Sequence, residues 1–135
     1  MIQVIDLQKV YNGVTVLNIP ELRIAQGESF GLVGNNGAGK TTFFRLILDL
    51  IEASKGGVMV DGEKVMRNDN WKLKVGSFLD EGFLIDFLTP EEYFAFVGKL
   101  YNKTEGDVSF FLETMKDFFS TEILGTSPKY LGRKK

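Results

Sequence analysis

The sequence predicts an α/β fold organised around one loop, and three adjoining stretches predict it. Ser29-Phe30-Gly31-Leu32-Val33 reads as a buried strand, the glycine-rich run Gly34-Asn35-Asn36-Gly37-Ala38-Gly39-Lys40-Thr41 follows it directly, and residues 42–51 then carry helical periodicity. In that arrangement the backbone turns tightly and a helix N-terminus faces outward.

The loop fits G-x-x-x-x-G-K-[ST] at every fixed position. Polyphosphate oxygens require several backbone N–H groups converging on one point, so Gly34, Gly37 and Gly39 are expected to adopt positive φ angles without a Cβ clash. The helix adds the positive end of its dipole, roughly half an elementary charge. Lys40 adds a full charge on a stem able to reach β- and γ-phosphates, and the Thr41 hydroxyl is suited to the Mg2+ that bridges them. The alternative is a glycine-rich turn that happens to carry a lysine. A strand before the loop and a helix after it favour phosphate binding.

Before the loop, Ile2, Val4, Leu7 and Val10 partly alternate with polar residues, which predicts a half-buried strand from Ile2 to Tyr11. Asn12-Gly13 is a hairpin turn signal, so Val14 to Ile24 is the returning strand, and Pro20 within it suggests an edge or a bulge. After the loop, Phe43, Leu46, Ile47, Leu50 and Ile51 form one helical face, with Lys55-Gly56-Gly57 expected to end the helix. Val58-Met59-Val60, the turn Asp61-Gly62 and residues 63–65 read as a second hairpin, and residues 72–79 as a further strand delivering Asp80-Glu81 to a loop.

Thr89-Pro90-Glu91-Glu92 is a helix start, in which Thr89 caps, Pro90 takes the first helical position and Glu92 completes a capping box. Tyr93, Phe96, Val97, Leu100 and Tyr101 then share one face. Val108, Phe111, Leu112, Met115 and Phe119 repeat the period after Thr104, which makes a helical pair. Aromatic residues at this spacing are core, so they are assigned no cofactor role.

The composition narrows the function classes. A chain of 135 residues with 44% hydrophobic residues has one domain's length and can bury a core. Its net charge of -2 supplies no field to gather nucleic acid, and the basic ending Arg133-Lys134-Lys135 reads as a solvated tail. Without cysteine, thiol chemistry and disulfides are excluded. The longest apolar stretch, residues 43–51, is broken by Arg45 and Asp49 and is too short for a membrane span, and the N-terminus lacks signal-peptide order. The expectation is a soluble, cytoplasmic chain without direct membrane insertion.

Taken together, Lys9-Val10-Tyr11, Gly27-Glu28, residues 31–42 and Asp61-Gly62 resemble the N-terminal half of the ATP-binding domain of ABC transporters, up to about Tyr101. The resemblance implies a P-loop NTPase fold with N-terminal antiparallel strands and the start of a helical subdomain. Residues 1–88 would form the strand-rich nucleotide-binding part and residues 89–125 the helical part of a truncated domain. It implies ATP held by Tyr11, Asn35, Asn36, Gly37, Ala38, Gly39, Lys40, Thr41 and Thr42, with Tyr11 stacking on adenine and Thr42 near the α-phosphate. Apart from the resemblance, Tyr11 is equally a strand-end aromatic packed on its hairpin.

Residues 75–80 resemble the approach to the family's Q-loop and put Asp80 where a glutamine normally contacts Mg2+. A carboxylate is still a hard oxygen donor, so Thr41 and Asp80 are the implied metal ligands. The implied partners are a transmembrane permease subunit and a second ATP-binding domain, holding the chain at the cytoplasmic face of a membrane. The Leu-Ser-Gly-Gly-Gln signature is missing, the stretch from Tyr130 to Lys135 lacks the serine and second glycine of one, and the sequence has no histidine. The expected behaviour is ATP binding with little hydrolysis, and no catalytic residue is assigned. Two other readings stay open at this point. One is a compact P-loop kinase or GTPase using Asp80-Glu81, with Asn102-Lys103-Thr104-Glu105 as a base reader; the other is a nucleotide-binding module without catalysis.

Overall fold

A computed structural model describes residues 1–79, 85 and 87–118. The chain divides into two compact units, Met1–Leu79 and Asp80–Lys135. Asp80, Glu81, Phe119 and the stretch from Tyr130 to Lys135 lie outside the described residues.

The first unit begins with β1 (Ile2–Tyr11) and β2 (Val14–Ile24), paired antiparallel from Ile2↔Ile24 to Tyr11↔Val14. Asn12 and Gly13 turn the chain with φ of 48° and 79°, the left-handed pair that matches strand twist in a two-residue hairpin. β3 (Lys55–Val60) pairs with the other side of β1, and the Asp61-Gly62 turn returns it to the short β4 (Glu63–Lys64). Both expected hairpins are present. The sheet order is β2-β1-β3-β4, which places Pro20 on an edge strand, where its missing N–H costs no ladder bond.

One helix, α1 (Lys40–Ile47), closes the core of this unit. Phe43, Leu46 and Ile47 form a stripe at helical spacing and share a buried cluster with Val4 and Leu7 of β1, Val58 and Val60 of β3, and Val65 and Trp71. Trp71 is 2% exposed, and its indole N–H donates to the Val65 carbonyl at 3.0 Å, so the ring is buried without an orphaned donor.

Four expectations for this unit need correction. The helix begins at Lys40 and ends at Ile47 rather than spanning 42–51, because Asp49 adopts φ 54° and a two-bond cap stops it: Asp49 N–H donates to Leu46 O and Leu50 N–H to Arg45 O. Lys55-Gly56-Gly57, expected to end the helix, instead opens β3. Residues 29–33 join no ladder among the described residues; Val33 is 95% exposed and only Leu32 of the stretch packs on the core. An apolar run announces burial on both faces, but a strand also needs a neighbour to pair with, and the antiparallel sheet offers this one none. Residues 72–79 likewise form no strand. Asn70–Lys74 is a 3-10 turn, begun by Asn68 accepting from the Asn70 N–H at 3.0 Å and anchored by Trp71.

The second unit contains α2 (Pro90–Leu100) and α3 (Glu105–Thr114). The Thr89 box forms as expected: Glu92 N–H donates to Thr89 Oγ1 at 3.3 Å, and Thr89 N–H donates to the Glu92 carboxylate at 2.8 Å. Thr104 and Asp107 repeat it at α3, which the sequence reading did not single out. Between the helices Asn102, at φ 55°, ends α2 with the same two-bond cap as α1, its N–H bonding Lys99 O while Lys103 N–H bonds Gly98 O. The stretch from Asn102 to Glu105, weighed above as a base reader, is thus taken up by a helix stop and a helix start. The packed face also differs from the expected one. Phe94, Val97, Gly98, Tyr101, Val108 and Phe111 line one groove, with the Phe94 and Phe111 rings 5.4 Å apart; Phe96 and Leu100 are exposed, and so in part are Tyr101 and Phe111. Gly98 rotates the seam, since a Cβ there would stand 2.6 Å from Val108 Cγ2.

Gly56 and Asp107 generate two expectations. Gly56 sits at φ 70° where β1 and β3 slip register, and a Cβ would fall 2.2 Å from the Asp6 carbonyl oxygen. Gly56→Ala should cost roughly 3 kcal/mol in denaturant unfolding, from a left-handed L-residue at about 1–2 and displaced backbone at about 1–3. Gly57→Ala, with nothing within 4 Å of its Cβ, should cost far less. The backbone N–H of Thr104, and then its hydroxyl, hold the Asp107 carboxyl below the usual carboxylate range. A lowered folded pKa stabilises above the unfolded value, near 4, and the contribution is lost as pH falls through the folded value. Melting curves of the chain and of Asp107→Asn should therefore differ at neutral pH and converge in acid.

Candidate functional site

The loop that the sequence singles out runs from Gly34 to the start of α1. Gly37 and Gly39 adopt φ of 83° and 85°, as a chain folding its N–H groups inward requires. Gly34 has no positive φ, contrary to expectation; its need is for space, since a Cβ would stand 3.2 Å from that of Ala38. At Gly39 both needs coincide, because a Cβ would approach the Val16 carbonyl oxygen to 2.8 Å and Leu17 Cδ1 to 3.3 Å. The loop is therefore pressed against β2, and only glycine fits at the contact.

Gly39 is also the residue before α1. It offers no side-chain cap, the first turn carries no acidic residue, and the helix's own bonding starts with Phe43 N–H to Gly39 O at 2.8 Å. The preceding N–H groups of the helix consequently have no partner within it, and its first turn carries no carboxylate to offset the positive end of the dipole. The Lys40 ammonium donates to the carbonyls of Gly34 at 2.6 Å and Asn35 at 2.8 Å, drawing the two ends of the loop together. Ala38 N–H donates to Asn35 O at 3.1 Å, a further turn inside the loop.

Around this geometry lies a cavity of about 470 Å3, lined by Tyr11 and Val16 from the first hairpin and by Asn36, Gly37, Gly39, Lys40, Thr41 and Thr42. Tyr11 reaches it because the Asn12-Gly13 turn brings the end of β1 beside the start of β2, whose Val16 meets the loop. Of the sequence-derived candidates, Asn35 and Ala38 belong to the loop without lining the cavity, and Asp80 lies outside the described residues. Sequence reasoning missed Val16, an unremarkable strand residue whose role comes from its backbone carbonyl; only the hairpin register could have pointed to it. A cavity of about 350 Å3 beside Asp6, Asp49 and Lys55 includes no residue of the loop.

The donor set suits a polyanion at the loop and helix start, and an aromatic residue lines the same cavity. Loop N–H groups, the helix start and the Lys40 ammonium are the donors that such an anion would meet.

Comparison with known proteins bears on the family and the fold. The family model described as ABC transporter matches residues 17–131. Among relatives, the ABC transporter ATP-binding protein NatA of Bacillus subtilis is 33% identical over 130 residues, covering 90% of this chain and 52% of its own length. The linearmycin resistance ATP-binding protein LnrL of the same species is 34% identical over 108 residues, covering 79% of this chain and 35% of its own. A solved ATP-binding subunit of an ABC transporter superposes with a TM-score of 0.82 at 25% identity over 94% of this chain and 54% of that one. A dimeric ATP-binding cassette in a post-hydrolysis state, with ADP and Pi bound, gives 0.78 at 22% identity over 95% of this chain and 62% of that one. The chain thus spans between about a third and two thirds of the length of these proteins. With the family model covering most of its residues and the cassette fold shared over nearly all of them, the chain belongs to the ABC transporter family and has the P-loop fold of its ATP-binding cassettes.

Proposed function

We propose that the chain is the ATP-binding part of an ABC transporter ATPase that powers transport across a membrane, and that it binds Mg-ATP in the cavity between Tyr11 and the glycine loop. The observation that carries this reading is the meeting of Tyr11 with Lys40, Thr41 and Thr42 around one cavity. The loop N–H groups and Lys40 would hold the phosphates, Thr42 would lie near the α-phosphate, and Tyr11 would stack on the base. The family model begins at residue 17, so the role of Tyr11 rests on the geometry and on its motif.

The Thr41 hydroxyl and the Asp80 carboxylate are the proposed Mg2+ donors, both hard oxygen ligands. When bound, the metal neutralises charge between neighbouring phosphates. The chain's own contribution is to bind and orient the nucleotide, and with no histidine and no Leu-Ser-Gly-Gly-Gln stretch it would turn ATP over slowly alone. Residues 89–125 would belong to the helical part that meets a transmembrane permease. A second ATP-binding domain would be the other partner, a reading supported by the dimeric form of one structural neighbour. A peripheral position at the cytoplasmic face follows from that partnership. Among the described residues no helix is long and apolar enough to cross a membrane.

Calorimetric titration tests the phosphate end. Replacing Lys40 by alanine removes charged hydrogen bonds worth about 1.5–3 kcal/mol each, so ATP affinity should fall at least ~10-fold. An unchanged affinity would mean that the loop is not the binding element. Gly39→Ala should lose ATP binding as well, through the Val16 carbonyl, with the far-ultraviolet circular dichroism of the sheet retained. If Gly39→Ala binds ATP as the parent chain does, the loop geometry is not what the nucleotide uses.

A further inference from the structure

Lys9 belongs to the motif Lys9-Val10-Tyr11 but has no part in the reading above. Its ammonium lies 4.7 Å from the centroid of the Tyr11 ring and donates to the Glu52 carbonyl at 2.7 Å. An ammonium at that distance over an aromatic face is attracted by the ring's negative π cloud. The carbonyl fixes where it sits. Two more bonds fasten the same stretch of β1 to the chain after α1: Val10 N–H donates to Ser54 Oγ at 2.9 Å, and Ser54 N–H to the Gln8 carbonyl at 2.8 Å. They fall where the β1 and β2 register shifts between Lys9 and Val10, a bulge that re-aims the side chains beyond it.

Tyr11 needs such help. It is the last residue of β1, it precedes a turn, and it is 45% exposed, so packing alone does not fix its ring. Tyr11 lines the same cavity as the glycine loop, whereas neither Lys9 nor Glu52 does. The ammonium therefore holds the ring from outside the cavity.

We propose that Lys9 is a positioning residue for base stacking: pinned by the Glu52 carbonyl, its ammonium holds one face of Tyr11 so that the other is presented to the nucleobase. The inference rests on the reading of Tyr11 as the base platform. Fixing the ring before the base arrives lowers the ordering cost of binding. The effect is confined to ligands that carry a base, and the phosphate end is untouched.

The test compares Mg-ATP with inorganic tripolyphosphate, which has no base, by calorimetry on the full chain. The parent chain should prefer ATP, and Tyr11→Ala should narrow that preference. Lys9→Met should narrow it about two- to fivefold, with tripolyphosphate affinity unchanged. Lys9→Arg should restore it, since a guanidinium also lies on an aromatic face and reaches a carbonyl. Lys9→Gln keeps a donor for Glu52 and removes only the charge, so it serves if the methionine variant does not fold. If Tyr11→Ala narrows the preference while the neutral Lys9 variants leave it intact, Lys9 has no positioning role and the stacking reading stands. Equal loss of both ligands would show a purely structural tie and overturn the proposal. No effect from Tyr11→Ala would remove the stacking reading and this inference with it.

Discussion

The approach of the Gly39 backbone to the Val16 carbonyl is the constraint on which the other features of the site depend. Because a Cβ at residue 39 would stand 2.8 Å from that oxygen, only a glycine at φ 85° lets the loop lie against β2. That contact sets where α1 begins, and so where its unpaired N–H groups point. It also sets the distance between the loop and the end of the first hairpin, where Tyr11 stands. The same hairpin supplies Val4 and Leu7 to the core that receives Phe43, Leu46 and Ile47. Core packing and site geometry are therefore two results of one docking of α1 onto the sheet.

Stability and binding place different demands on this region. The buried stripe of α1 favours a fixed helix through apolar contact, worth about 1.5–3 kcal/mol for each fully buried large side chain. The loop before it carries polar backbone that burial would penalise; the Gly34 and Asn35 carbonyls accept from Lys40, while the first N–H groups of α1 have no partner within the helix. An anion entering the loop competes with those carbonyls for the ammonium. The lysine is a strap for the loop, and in the proposed reading it is also the charge that a polyphosphate would meet.

Both hairpins, the helix after the loop, the Thr89 box and the nucleotide motif were legible in the sequence. Each rests on local chemistry: left-handed turn residues at 12–13 and 61–62, a threonine with glutamate three residues on, and glycines at fixed spacing. The misreadings concern elements set by partners distant in sequence. Residues 29–33 and 72–79 have strand-like composition, but pairing depends on which strands stand beside them. The seam of the α2 and α3 pair was placed in part, with Val97, Tyr101, Val108 and Phe111 on the expected faces, but apolar spacing gives no weight to Gly98, beside which Val108 lies close. Val16 was invisible for a related reason, since its contact with the loop is made by its backbone carbonyl. Lys9 was legible only as part of its motif, because its bond to the Glu52 carbonyl joins segments distant in sequence.

The central claim is that one cavity binds the base at Tyr11 and the phosphates at the loop, and amide nuclear magnetic resonance tests it directly. On addition of Mg-ATP to the labelled chain, the account predicts the largest shifts at the amides of residues 36–42, together with the ring protons of Tyr11. Shifts confined to α2 and α3, or loop shifts with the Tyr11 ring unmoved, would contradict it.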